Sequence, residues 1–107
     1  MNDLKNKKCL PCEGGVPKLS DPEIDRLLLQ VTGWLGKGMK ISRKFVFKNF
    51  AQAMVFVNKM ADIAEQEGHH PDFLVHYNEV TVTLWTHAVG GLTENDFILA
   101  AKINQIS

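Results

Sequence analysis

The sequence predicts an α+β fold in two layers, with elements ordered α-β-β-α-β-β-α and a four-stranded antiparallel sheet covered by helices on one face. The prediction rests on the periodicity of the apolar residues, on capping signals at the helix starts, and on the pairing of the strand-like stretches. Those stretches come as adjacent pairs rather than singly between helices, which favours hairpins over parallel βαβ units.

Residues 1–19 read as an extended N-terminal arm, rich in Lys, Gly and Pro, and residues 20–107 as a single domain. Ser20-Asp21-Pro22-Glu23 opens the first helix. Ser20 can cap, Glu23 can close a capping box, and Pro22 sits in the first turn, where a missing N–H costs nothing. Ile24, Leu27, Leu28 and Val31 follow at helical spacing, with Gly33 as the expected stop. From Trp34 to Phe47 the chain reads as a hairpin, with turn chemistry in Gly36-Lys37-Gly38. Its second strand alternates: Ile41, Arg43, Phe45 and Phe47 share one face, and Lys40, Ser42, Lys44 and Val46 the other.

Asn49 and Gln52 then make a second capping pattern. Phe50, Met54, Val57, Ala61 and Ala64 form a helical stripe, widened by Ala53, Phe56, Met60 and Ile63, and Gly68 ends the helix. Residues 73–76 and 79–86 read as a second hairpin turning near Tyr77-Asn78. Val80, Val82 and Leu84 share one face; Glu79, Thr81, Thr83, Trp85 and His87 share the other. After Gly90-Gly91, Thr93-Glu94-Asn95-Asp96 starts the last helix, with Phe97, Leu99, Ala100, Ile103 and Ile106 available for burial. A sheet covered on one side leaves open edges, so strand pairing between subunits is expected to be available.

Composition limits the function classes. The chain has 107 residues, 45% hydrophobic and 22% charged, as one ordinary globular domain would. Twelve basic and twelve acidic residues leave no net charge, which argues against nucleic acid or an anionic membrane as a partner. No apolar run is long enough to span a bilayer. The lysines of the first eight residues have no apolar stretch behind them, so a cytoplasmic location is expected. Cys9 and Cys12 form a lone C-x-x-C without the second pair that a zinc knuckle needs, and are expected on a non-essential surface arm.

Three of the four histidines fall at element boundaries: His69 and His70 after the Gly68 stop, and His87 past the last strand. Imidazole titrates near neutrality, so a small change of environment makes it an acid or a base. The bland alternatives are a helix C-terminal dipole contact for the pair, an exposed strand end for His87, a capping box for Asp96, and a solvent-facing or interface aromatic for Trp85. A zinc site from His69, His70 and His87 is disfavoured, because neighbours in an extended segment point apart and no carboxylate or cysteine is read at ligand spacing beside them. No metal and no cofactor is expected. Phosphate-binding glycine loops and nucleophile elbows are absent.

Glu65, three residues, His69-His70-Pro71, then Tyr77, His87 and Asp96 closely resemble the signature of the pterin-4a-carbinolamine dehydratases. The resemblance extends over residues 16–106, and Thr86-His87 and Gly91-Leu92-Thr93 resemble the family's local sequence. Cys9-Leu10-Pro11-Cys12-Glu13-Gly14-Gly15 resembles the leader of many bacterial and plant members. The resemblance implies loss of water from 4a-hydroxytetrahydropterin to give quinonoid dihydropterin, in pterin recycling after aromatic amino-acid hydroxylation. It implies His69, His70 and His87 as catalytic residues in the pterin pocket, with Pro71 shaping the turn and Asp96 orienting a histidine or holding the last helix start. It also implies a homodimer or homotetramer, and an aromatic amino-acid hydroxylase in the same pathway. The alternative it carries is an interaction or assembly factor, coactivator-like or chaperone-like, on the same fold.

Overall fold

The computed structural model describes residues 3–11 and 16–107. The first helix, α1 (Asp21–Leu28), begins on the predicted capping box: Ser20 N–H donates to Glu23 Oε1 at 2.9 Å and Glu23 N–H to Ser20 Oγ at 3.4 Å. The Ser20 N–H and the Ser20 hydroxyl, which also donates to Glu23 Oε1 at 2.9 Å, hold the Glu23 carboxyl below its usual range. The helix stops at Leu28, short of the expected stop at Gly33. Tight turns follow, with Gln30 N–H donating to Leu27 O and Val31 N–H to Leu28 O, and they bury Val31 outside the helix. Gly33 serves a different purpose. It has φ +86°, and a Cβ there would stand 2.6 Å from Arg43 Nε. The Arg43 guanidinium passes over it to reach Thr32 O and Asn104 Oδ1, both at 2.8 Å.

The first hairpin is β1 (Leu35–Lys37) and β2 (Lys40–Val46). Gly36 pairs with Ile41 inside it, so the turn is Gly38-Met39 rather than starting at Gly36. The second is β3 (Asp72–His76) and β4 (Glu79–Leu84), and Tyr77 takes φ 53° in its two-residue turn. All neighbours are antiparallel, in the order β1-β2-β4-β3. Ile41, Phe45, Val80, Val82 and Leu84 are buried on one face. On the other, Ser42 and Thr83 hydroxyls meet at 3.3 Å across the β2–β4 pair.

The long helix α2 (Phe50–Glu67) is capped by Asn49 Oδ1, which accepts from Gln52 N–H at 2.9 Å, and ends at Gly68 with φ 67°. Its buried stripe is Ala53, Phe56, Val57, Met60 and Ala64. Phe50 and Ala61, expected in the stripe, are exposed. The rotation follows from the aromatic packing: Phe56 sits 4.8 Å from Phe45 and 4.9 Å from Phe47, ring centre to ring centre.

The last helix, α3 (Glu94–Ile106), is buried on nearly every side over residues 95–101. The arm accounts for this. It is neither loose nor wholly extended where it is described: Leu4–Asn6 form a 3-10 turn, and Leu4, Cys9 and Val16 are buried. Leu4 and Cys9 join the same apolar cluster as Ile98 and Ala101. Among the described residues, no helix is long and apolar enough to cross a membrane.

Candidate active site

The site is built where α2 ends, β3 begins and β4 gives way to a short loop. Gly68 turns the chain out of α2 in the left-handed conformation that glycine adopts without strain. His69 N–H still donates to Ala64 O at 3.3 Å, so His69 is tied to the helix end while His70 has left it. The two side chains diverge as neighbours in an extended segment should. His69 turns inward and is buried; His70 turns outward and is exposed.

His69 Nε2 lies 2.6 Å from Asp96 Oδ1, and Asp96 is completely buried in the first turn of α3. The other carboxylate oxygen, Oδ2, accepts from Thr93 N–H at 3.0 Å and from Thr86 Oγ at 2.9 Å. Thr86 and Thr93 hydroxyls meet at 2.9 Å. One carboxylate thus does both things weighed for it: Oδ2 caps the helix and Oδ1 holds the histidine. A carboxylate oxygen facing Nε2 favours the form of the ring with a proton on that nitrogen. A carboxylate in the first turn of a helix also sits at the favourable end of the helix dipole.

His70 and His87 are held differently. His70 Nε2 is 2.5 Å from Glu65 Oε2, and both side chains are well exposed. A carboxylate therefore does stand beside each of the paired histidines, Asp96 beside His69 and Glu65, from the last turns of α2, beside His70. His87 opens the short 3-10 turn His87–Val89, which is closed at its base by Thr86 N–H donating to Gly91 O at 2.8 Å. The His87 ring packs against Trp85 at a tilt of 44°, with centres 3.9 Å apart, and Lys40 Nζ lies 4.7 Å from the centre of the Trp85 ring.

All three histidines line one cleft of about 570 Å³, together with Gly68, Pro71, Asp72, Trp85 and Ala88. That is within the range that takes a small heterocyclic ligand. Asp96 stands behind His69 rather than in the wall. Trp85 and Asp72 are in the wall although the sequence reading assigned neither of them to a site. A signal for Trp85 was present in the alternation that groups Trp85 with His87, although β4 ends at Leu84 and both residues lie just beyond it. His76 is exposed at the far hairpin turn, 3.8 Å from Glu79. Among the described residues, no group of three His, Cys, Asp or Glu side chains is placed to hold a metal ion.

Of the C-x-x-C, Cys12 lies outside the described residues. Cys9 is buried and unbridged, with its Sγ 3.6 Å from Asn95 O. Burial, reinforced by the Glu67 carboxylate, pushes its thiol up to about 12, so it stays protonated and is a poor metal ligand or nucleophile.

The sequence profile of the pterin 4 alpha carbinolamine dehydratase family matches residues 17–106. A relative from Nitrosospira multiformis, provisionally named a pterin-4-alpha-carbinolamine dehydratase, is 51% identical over 106 residues, spanning 99% of this chain and 94% of its own. A relative from Nitrosomonas eutropha with the same provisional name is 52% identical over 105 residues, spanning 97% of this chain and 93% of its own. Among solved structures, a Brucella melitensis protein described as a transcriptional coactivator/pterin dehydratase superposes with a TM-score of 0.82 at 38% identity. That match covers 84% of this chain and 98% of the Brucella chain.

Proposed function

The chain belongs to the pterin-4a-carbinolamine dehydratase family, and we propose on that premise that it removes water from 4a-hydroxytetrahydropterin by histidine acid–base catalysis in this cleft. The observation that carries the reading is the division of the three histidines: one buried and locked, two exposed in the same cleft wall.

The reaction breaks the C4a–O bond. The hydroxyl takes a proton and leaves as water, the N5–H proton goes to a base, and the N5 electron pair becomes the new C4a=N5 bond. The nitrogen lone pair supplies the push, so the protein's task is to place a proton donor and a proton acceptor. Positioned proton transfer is worth about 10²–10⁴-fold for each group. His70 and His87 are the proton-transfer pair in this reading, since both are solvent-accessible and can exchange protons between turnovers. His69, fixed by Asp96, presents a set tautomer to the pterin ring and binds it. Pro71 shapes the turn between His70 and the Asp72 start of β3.

The substrate would come from an aromatic amino-acid hydroxylase in the cytoplasm. The assembly would be a homodimer or homotetramer. The open edge of β3 and the exposed apolar side chains Phe73 and Leu74 on it favour a second copy of the chain there. A second reading, an interaction or assembly role on the same fold, has the coactivator description of the Brucella neighbour on its side.

The test is stopped-flow dehydration. A hydroxylase generates 4a-hydroxytetrahydropterin, and its absorbance decay is followed with and without the protein, in chelator. Accelerated decay that survives chelator supports the reading. Decay at the spontaneous rate from folded protein removes it and leaves the interaction role.

A further inference from the structure

The arm before α1 is engaged on both sides of the His69–Asp96 pair. On the α2 side, Cys9 N–H donates to Glu67 Oε1 at 2.8 Å and Lys8 Nζ to Gln66 O at 3.2 Å. On the α3 side, Leu10 and Asn95 pair in both directions: Leu10 N–H donates to Asn95 Oδ1 at 2.9 Å, and Asn95 Nδ2 to Leu10 O at 2.7 Å. Glu67 is two residues before His69, and Asn95 is the residue before Asp96. Adjacent peptide units of the arm therefore grip the ends of the two helices whose separation sets the histidine–carboxylate contact. Lys102 of α3 closes the frame, 3.6 Å from Glu67 Oε2 and donating to Lys5 O at 3.0 Å.

We propose that residues 3–11 are a positioning strap, which fixes the end of α2 against the start of α3 and so holds His69 and Asp96 at catalytic geometry. Glu67 and Asn95 are its anchors and act through His69, without touching substrate. The buried, protonated Cys9 thiol suits this role, because it fills space under the strap instead of reacting. A hydrogen bond of 2.6 Å tolerates little slack, and a displacement of about 1 Å at a site of this kind can cost about 100-fold in rate. The catalytic part of this inference rests on the dehydratase reading above; the structural part does not.

The test uses the full chain. Leu10→Pro removes the N–H that Asn95 accepts while altering an exposed side chain, and Glu67→Ala removes the Cys9 anchor. Two readouts are taken well below each variant's Tm: solvent exchange of the His69 ring N–H in ¹⁵N-histidine-labelled protein, and kcat and KM for dehydration. The strap predicts faster His69 ring exchange in both variants, kcat lowered roughly 10- to 100-fold with KM changed less, and rescue by Glu67→Gln, which keeps the acceptor. Lys44→Ala, on the sheet, should match the wild type. Lower Tm with wild-type ring exchange and kcat would overturn the proposal, and Glu67→Ala decides it if Leu10→Pro does not fold. If the wild type itself fails to dehydrate the pterin, the functional reading falls, and the ring exchange still decides whether the strap holds the pair.

Discussion

The buried and the exposed parts of the cleft wall are built on the same residue type and held in opposite ways. Behind His69 every group is shut from water and bonded: Asp96 accepts from three neighbours, and Thr86 and Thr93 bond one another. His70 and His87 stand in solvent, one beside an exposed carboxylate and one against an indole. A buried polar network that is fully satisfied is rigid, since any movement leaves a group unpaired in a low-dielectric setting. An exposed imidazole moves its proton to water readily but gains little stability from its partners. On the proposed dehydratase reading, the difference gives geometry to the buried histidine and proton traffic to the exposed pair.

The strongest challenge to that division is to remove the exposed groups. His70→Ala and His87→Ala should each lower kcat by roughly 10²–10⁴-fold. Thermal stability should barely change, because exposed substitutions usually stay within about 0.5 kcal/mol. Wild-type rates in both variants would break the division. The buried wall should respond in the opposite currency. Asp96→Ala strands His69, Thr86 and the Thr93 N–H together, and should cost about 3 kcal/mol in a denaturant titration, with activity falling as well. A stability loss within experimental error would mean the wall is not rigid.

Trp85 sharpens the comparison at smaller scale. An aromatic contact of this kind contributes about 0.5–1.5 kcal/mol. Trp85→Ala should therefore reduce kcat/KM about 2- to 10-fold by releasing the His87 ring, and Trp85→Phe should keep most of the activity. Equal losses in the two variants would point to the indole N–H, which is buried without a partner among the described residues.

The smallest effect concerns pH. Burial acts to raise the Glu67 carboxyl, but the Cys9 N–H and Lys102 outweigh it and hold it below the ordinary value of 4.5. A depressed carboxyl contributes stability that is fully present above 4.5 and fades as pH falls through the lower folded value. Protection of the Cys9 and Leu10 amides against hydrogen exchange should decline over that acid window. Glu67→Gln should flatten the dependence, and an unchanged profile in that variant would remove Glu67 as its cause.

Much of this was legible in the residues. The Ser20–Glu23 box, the Asn49 cap, the Gly68 stop and the alternation of β2 and β4 are local signals, and each stands where it was read. The errors share one cause. Gly33 stops no helix because Arg43, ten residues on, needs its space. Phe50 leaves the buried stripe because Phe45 and Phe47 choose Phe56 as their partner. The arm, Lys-rich and carrying Gly and Pro, has no periodicity to announce burial; Leu4 and Cys9 are buried only because α3 offers them a surface.

By itself the sequence determined the order of elements, the sheet's covered face and the three histidines at element ends, since these depend on short-range periodicity, capping and turn chemistry. Only the tertiary structure decided that His69 goes in and His70 out, that Asp96 divides its oxygens between a helix and a histidine, and that the arm spans the two. Each of those contacts joins residues far apart in the chain: 27 positions separate His69 from Asp96, and 85 separate Leu10 from Asn95. No local propensity encodes such separations. Packing of α3 against the sheet, α2 and the arm brings them together.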